Sequence, residues 1–119
     1  MNQKTLNQSF SISGVGLHTG KTVSVTIIPS EEEGFTFVRT DLDNAEIKAS
    51  IANIVSTSRG TTIGSGDATV STIEHWMASL SAAGVTNARI EIDGPECPIL
   101  DGSSTEITAA INQVGVKEI

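Results

Sequence analysis

Val70-Ser-Thr-Ile-Glu-His-Trp-Met-Ala-Ser-Leu-Ser-Ala-Ala-Gly84 is where the period of the chain changes. Val70, Ile73, Met77, Leu80 and Gly84 recur at helical spacing, and Trp76 and Ala83 widen the apolar stripe. Ser71 followed by Glu74 has the form of a capping box, so this helix is expected to start at Ser71 and stop at Gly84. Downstream, Ala88, Ile90 and Ile92 alternate with Arg89, Glu91 and Asp93, which predicts a strand ending at Asp93-Gly94. Ser103 and Glu106 repeat the capping pattern before a second helix, whose Ile107, Ala110, Ile111 and Val114 face inward ahead of Gly115.

Upstream the pattern is that of strands. Leu6, Phe10 and Ile12 fall on alternate positions before the Gly14-Val15-Gly16 turn, with Gln8 breaking the set. Val23, Val25 and Ile27 alternate with hydroxyl residues until Pro29 ends the run. Phe35 to Arg39 forms a third strand and Ile47, Ala49 and Ile51 a fourth, with Thr61-Thr62-Ile63 as a short edge segment. Strands first, helices later and one strand between the helices predict an α+β fold. The expected architecture is a two-layer sandwich, a largely antiparallel sheet of about five strands with two helices packed on one face.

At 119 residues the chain fits one domain, residues 1–119, with no internal boundary. Fourteen acidic against 7 basic residues give a net charge of −7, and the basic residues are scattered. That field repels polyphosphate, so nucleic acid is not an expected partner. The first residues contain no apolar signal core, and no stretch is apolar enough to span a bilayer. The one cysteine, Cys97, excludes an internal disulfide and reads as a small buried apolar residue. A cytoplasmic protein is the expectation.

Four segments carry chemistry. Glu74-His75 lies in the first turn of the predicted helix, where a neutral histidine can ligate metal and a neighbouring carboxylate can take a proton from water. His75 shares its helical face with Ala78, Ser79 and Ala82, small groups that let another element approach. No second histidine follows at helical spacing, and a catalytic zinc takes about three protein ligands. With only His18 and His75 in the chain, further ligands would have to come from elsewhere. His18 and Thr19 sit at the tip of Gly14-Val-Gly-Leu-His-Thr-Gly20, where they can face a ligand or simply turn between strands. Ser56-Thr-Ser-Arg-Gly-Thr-Thr62 is a hydroxyl-rich run with one arginine, and Glu96-Cys-Pro-Ile-Leu-Asp-Gly-Ser103 leads into the second helix.

The order of these segments is more specific than any one of them. Gly-Val-Gly-Leu-His-Thr-Gly, Ser-Arg-Gly-Thr-Thr, Val-Ser-Thr-Ile-Glu-His, and the run from Ile90 to Ser104 together resemble the UDP-3-O-acyl-N-acetylglucosamine deacetylases of Gram-negative bacteria. The resemblance extends from about Lys4 to about Val116. It implies the first of two similar α+β domains that pack face to face around a zinc site, in an enzyme that commits carbon to lipid A by releasing acetate. Carried over position by position, Glu74 matches the catalytic glutamate and His75 one zinc-ligating histidine. The remaining histidine and aspartate ligands, a catalytic lysine and a further histidine would come from the second domain. His18 matches a histidine lining the site, with Thr19 beside it, and Leu17 and Ser58 match positions near the substrate passage. Trp76 and Cys97 stand where the family usually carries aliphatic side chains. The implied partners are UDP-3-O-acyl-N-acetylglucosamine and the chain's own carboxy-terminal domain, and some members are fused to a β-hydroxyacyl carrier-protein dehydratase. Alone, the 119 residues are expected to bind zinc weakly or not at all and not to turn over, with the face bearing His75 apolar or flexible.

Two rival readings cover parts of the chain. One is a non-catalytic α+β interaction domain in which Glu74 only caps a helix. The other is a two-carboxylate hydrolase using Asp93, Glu96 or Asp101.

Overall fold

Phe10, Ile27, Ile90, Phe37 and Ile47 stand side by side across five strands, each paired in register with the next. This row is the alternation of the sequence turned into one apolar surface. Its last four members are fully buried, each worth roughly 1.5–3 kcal/mol relative to exposure. On the opposite face the same strands carry hydroxyl and charged pairs. Ser11 meets Thr26 and Ser13 meets Ser24, both at 2.8 Å, and Arg89 reaches Glu91 at 3.1 Å and Glu46 at 3.5 Å.

The computed structural model describes residues 2–16, 18–57, 61–100 and 105–119. In chain order the strands are β1 (Lys4–Leu6), β2 (Phe10–Val15), β3 (Thr22–Pro29), β4 (Gly34–Arg39) and β5 (Ala45–Lys48). After a 3-10 turn (Ile51–Asn53) come β6 (Ile54–Ser56), β7 (Thr62–Ser65), β8 (Ala68–Ser71), helix α1 (Glu74–Ala82), β9 (Asn87–Ile92), helix α2 (Thr105–Val114) and β10 (Val116–Glu118). The main sheet has the order β2-β3-β9-β4-β5 and is antiparallel except where β4 runs parallel to β9. Trp76 and Leu80 of α1 and Ile107 and Ile111 of α2 share one core with the apolar row. The two helices also touch each other. The expected α+β sandwich of five strands and two helices is therefore present.

Four details differ from the sequence reading. The first predicted strand is two: β1 leaves the main sheet to pair with β10, a three-residue strand too short to show a period. Ala49 still donates to Phe35 O at 2.9 Å, but the predicted fourth strand ends at Lys48 and Ile51 enters the 3-10 turn. The edge segment near Thr61 belongs to a separate three-stranded sheet, β6-β7-β8. Buried Arg39 ties this sheet to β4 by donating to Thr69 O at 2.8 Å while gripping Asp41 at 2.7–2.8 Å.

The fourth difference bears on the site. Helix α1 begins at Glu74, because Val70 and Ser71 are paired as strand with Ile63 and Thr62. The Ser71 hydroxyl donates to Pro95 O at 3.3 Å, so it caps nothing. The helix does stop as expected: Gly84 has φ 86°, and the Val85 N–H returns to Leu80 O at 3.0 Å, closing the end as a Schellman motif. Ser103, the other proposed cap, lies outside the described residues. Among the described residues no helix is long and apolar enough to cross a membrane.

Candidate active site

Two segments hold the start of α1 in place. Ser71 pairs backward with Thr62 and sideways with Glu96, donating its N–H to Pro95 O (2.8 Å) and accepting the Cys97 N–H (3.0 Å). The chain then turns sharply: Thr72 adopts φ 60°, a conformation that costs a β-branched residue about 1–3 kcal/mol. Ile73 occupies the N-cap without a side-chain bond, and Glu74 and His75 are the first two residues of the helix. The exposed Glu74 carboxylate accepts the Thr61 backbone N–H at 2.6 Å. His75 is half-buried, and its carbonyl accepts the Ser79 hydroxyl at 2.7 Å. Of the small face expected around His75, Ala78 and Ala82 are exposed but Ser79 is buried.

The glycine-rich turn is built around a carboxylate from elsewhere in the chain. Gly16 and Lys21 close it (2.9 Å), as do Gly20 and Gly16 (3.0 Å). Into it projects Glu96, a buried side chain only 1% exposed. Its oxygens accept the N–H of His18 (3.0–3.1 Å), the N–H of Thr19 (2.9 Å) and the hydroxyl of Thr72 (3.2 Å). Burial works against its charge, but the Thr19 and His18 amides and the Thr19 and Thr72 hydroxyls outweigh it, holding the carboxyl below its usual range. A Cβ on Gly16 would overlap this carboxylate and come within 2.7 Å of Thr19 Oγ1, so only glycine fits. His18 and Thr19 themselves are exposed.

Glu96 thus brings two of the predicted groups together. The turn carrying His18 and Thr19 and the segment leading to Glu74 and His75 share one carboxylate. Sequence reasoning placed Glu96 only in a possible carboxylate pair. Its fully engaged oxygens, and the use of Asp93 Oδ1 to accept the Ser24 N–H at 2.8 Å, speak against that pair. The only signal in the sequence is an acid stranded in the otherwise uncharged Gly94-Pro-Glu-Cys-Pro-Ile99. Leu17, Ser58 and Asp101 lie outside the described residues.

Beside α1 an apolar cleft of about 180 Å³ is lined by Ile54, Ile63, Ile73 and Met77, with Thr61 at its edge. Of these, Ile54 is exposed. Cys97 is buried and free, and burial followed by the Glu74 and Glu96 charges pushes its thiol far up. Trp76 packs in the core with its indole N–H on Pro98 O at 3.3 Å, so its bulk is spent inside. Among the described residues no three His, Cys, Asp or Glu side chains are grouped to hold a metal. A catalytic zinc takes about three protein ligands, more than any group of described side chains brings together.

A family model described as UDP-3-O-acyl N-acetylglycosamine deacetylase matches residues 3–119. The chain belongs to this deacetylase family. It is 52% identical over 117 residues to a UDP-3-O-acyl-N-acetylglucosamine deacetylase of Citrifermentans bemidjiense, covering 97% of this chain and 38% of that protein. The deacetylase of Myxococcus xanthus is 45% identical over 119 residues, with 98% and 38% covered. A bifunctional enzyme LpxC/FabZ of Porphyromonas gingivalis is 47% identical over 118 residues, with 98% and 26% covered. The chain therefore spans 38% of the length of the deacetylase relatives.

Proposed function

We propose that residues 1–119 are the first domain of a zinc-dependent deacetylase. The enzyme hydrolyses the acetamide of UDP-3-O-acyl-N-acetylglucosamine and releases acetate, the committed step of lipid A biosynthesis. One observation carries this reading: Glu74 and His75 open α1 side by side, and Glu74 is held by Thr61 instead of being used as a helix cap. This favours the reading over an interaction domain in which Glu74 serves only as a helix cap.

In this reading Glu74 accepts a proton from the water that attacks the acetamide carbonyl, and its link to Thr61 keeps the carboxylate aimed. His75 fills one metal position, and a second domain outside this chain supplies the others. Zinc, when bound, supplies Lewis-acid activation of the carbonyl and the attacking water. His18 and Thr19 contact the substrate from the glycine-rich turn, and Leu17 and Ser58 match substrate-passage positions by family resemblance alone. The net charge of −7 leaves most of the cationic groups for the diphosphate to the other domain. A cytoplasmic setting suits a nucleotide-sugar substrate and an unpaired cysteine. In this reading the isolated chain binds little or no zinc and does not turn over.

The test is the protein encoded by the complete reading frame. Acetate release that disappears on chelation and returns with zinc supports the reading, as does a His75→Ala variant that loses both metal and turnover. Activity that survives chelation, or an unaffected Glu74→Ala variant, rejects it.

A further inference from the structure

We propose that Glu96 is a positioning residue: its buried carboxylate fixes the turn carrying His18 and Thr19 relative to Thr72, and so to Glu74 and His75. The proposal rests on the deacetylase reading for its functional meaning, but its geometry stands on this chain alone. Glu96 is too enclosed to touch substrate. Its bonds go to three residues in two segments that are far apart in sequence, His18 and Thr19 on one side and Thr72 on the other.

Two features separate this arrangement from ordinary packing. The His18 and Thr19 amides belong to an exposed turn, where water would satisfy them at little cost, yet a carboxylate is buried to receive them. Thr72 is held in a left-handed conformation that threonine avoids, and its hydroxyl is bonded to the same carboxylate. The bond to Glu96 stabilises the bend, and the bend delivers the chain into the helix two residues before Glu74. Glycine at position 16 completes the fit, since any side chain there would displace the carboxylate. The result is a rigid clip between the two segments that carry the proposed binding and catalytic groups.

Glu96→Gln tests the clip, because an amide can present its NH₂ to donors that need an acceptor. In the 119-residue chain, the variant should exchange the His18 and Thr19 amide protons at least about tenfold faster, while Ile27 and Ile90 in the sheet keep their protection. Unchanged exchange at His18 and Thr19 in a folded variant overturns the proposal. In the full-length enzyme, Glu96→Gln should lower kcat/KM about tenfold or more at unchanged zinc content and add nothing to the loss caused by His18→Ala. Additive losses, or kcat/KM unchanged, overturn the proposal too. Should Glu96→Gln fail to fold, Thr72→Val removes only the hydroxyl donor. It should also speed exchange at His18 and Thr19, and no change there counts against the clip. A wild-type enzyme without deacetylase activity sinks the deacetylase reading instead, and the exchange result still decides whether Glu96 holds the turn.

Discussion

The Glu74 carboxylate and the Thr61 backbone N–H meet at 2.6 Å, joining the first residue of α1 to the chain just ahead of β7. The acid is thereby aimed from outside its own helix. Replacing it should harm chemistry far more than folding. In the full-length enzyme Glu74→Gln is expected to lower kcat by about 10²–10⁴. The same change should shift unfolding free energy by only about 1 kcal/mol. Parallel measurement of kcat and urea unfolding checks this, and a large stability loss with normal turnover would reverse the assignment.

Trp76 gives the opposite pattern. It is 1% exposed, packs between helix and sheet, and is the sole tryptophan of the chain. Trp76→Ala should cost about 3–5 kcal/mol through the cavity it leaves. Trp76→Phe should cost less, since it keeps a ring and gives up mainly the bond to Pro98 O. Chemical denaturation followed by circular dichroism separates the two.

Acid should loosen the fold through two carboxylates. Hydrogen bonding from Arg39 holds Asp41 below its ordinary range, and Glu96 is held down by the donors of its clip despite burial. A lowered folded-state pKa gives stability that is complete above the unfolded value of about 4 and is lost as pH falls through the folded value. Stability should therefore drop below about pH 4, and Asp41→Asn or Glu96→Gln should each flatten that drop. The Asp41 share should be small, because that side chain is 35% exposed and solvent screens the pair. Urea midpoints at neutral and acid pH measure the difference, and identical drops in the wild type and both variants would refute it.

The Cys97 thiol should be inert. Burial, together with the charges of Glu74 and Glu96, keeps it protonated throughout the neutral range. A disulfide reagent at mildly alkaline pH should leave the native protein unlabelled and label it on denaturation. Fast labelling of the native chain would show that the packing around Cys97 opens readily.

The sheet was legible because it is wet on one side. Val23, Val25 and Ile27 alternate with polar neighbours only because Ser24 and Thr26 face water, and the same holds for Ile90 and Ile92 about Glu91. The start of α1 misled for a reason that lies outside the local sequence. Ser71 and Glu74 have capping-box spacing, but Thr62, Pro95 and Cys97 claim the Ser71 backbone, and Thr72 then bends the chain. Glu74-His75 could be singled out as neighbours in sequence. Glu96 could not, since its amide donors lie 77 and 78 residues away and backbone N–H groups leave no trace in a pattern of side chains.

The main sheet consists of two hairpins, β2–β3 and β4–β5, that share no ladder with each other and meet only through β9. Both hairpins are complete by Lys48, yet the strand that joins them finishes at Ile92. During synthesis, then, two ribbons leave the ribosome early, each with an unpaired edge, and must wait for the middle strand. Isolated hairpins are marginal in water, and sheets closed by distant strands form slowly. A nascent chain stalled before Ile92 would carry Ile27 and Phe37 uncovered, an open invitation to pair with another chain or to be held by a chaperone.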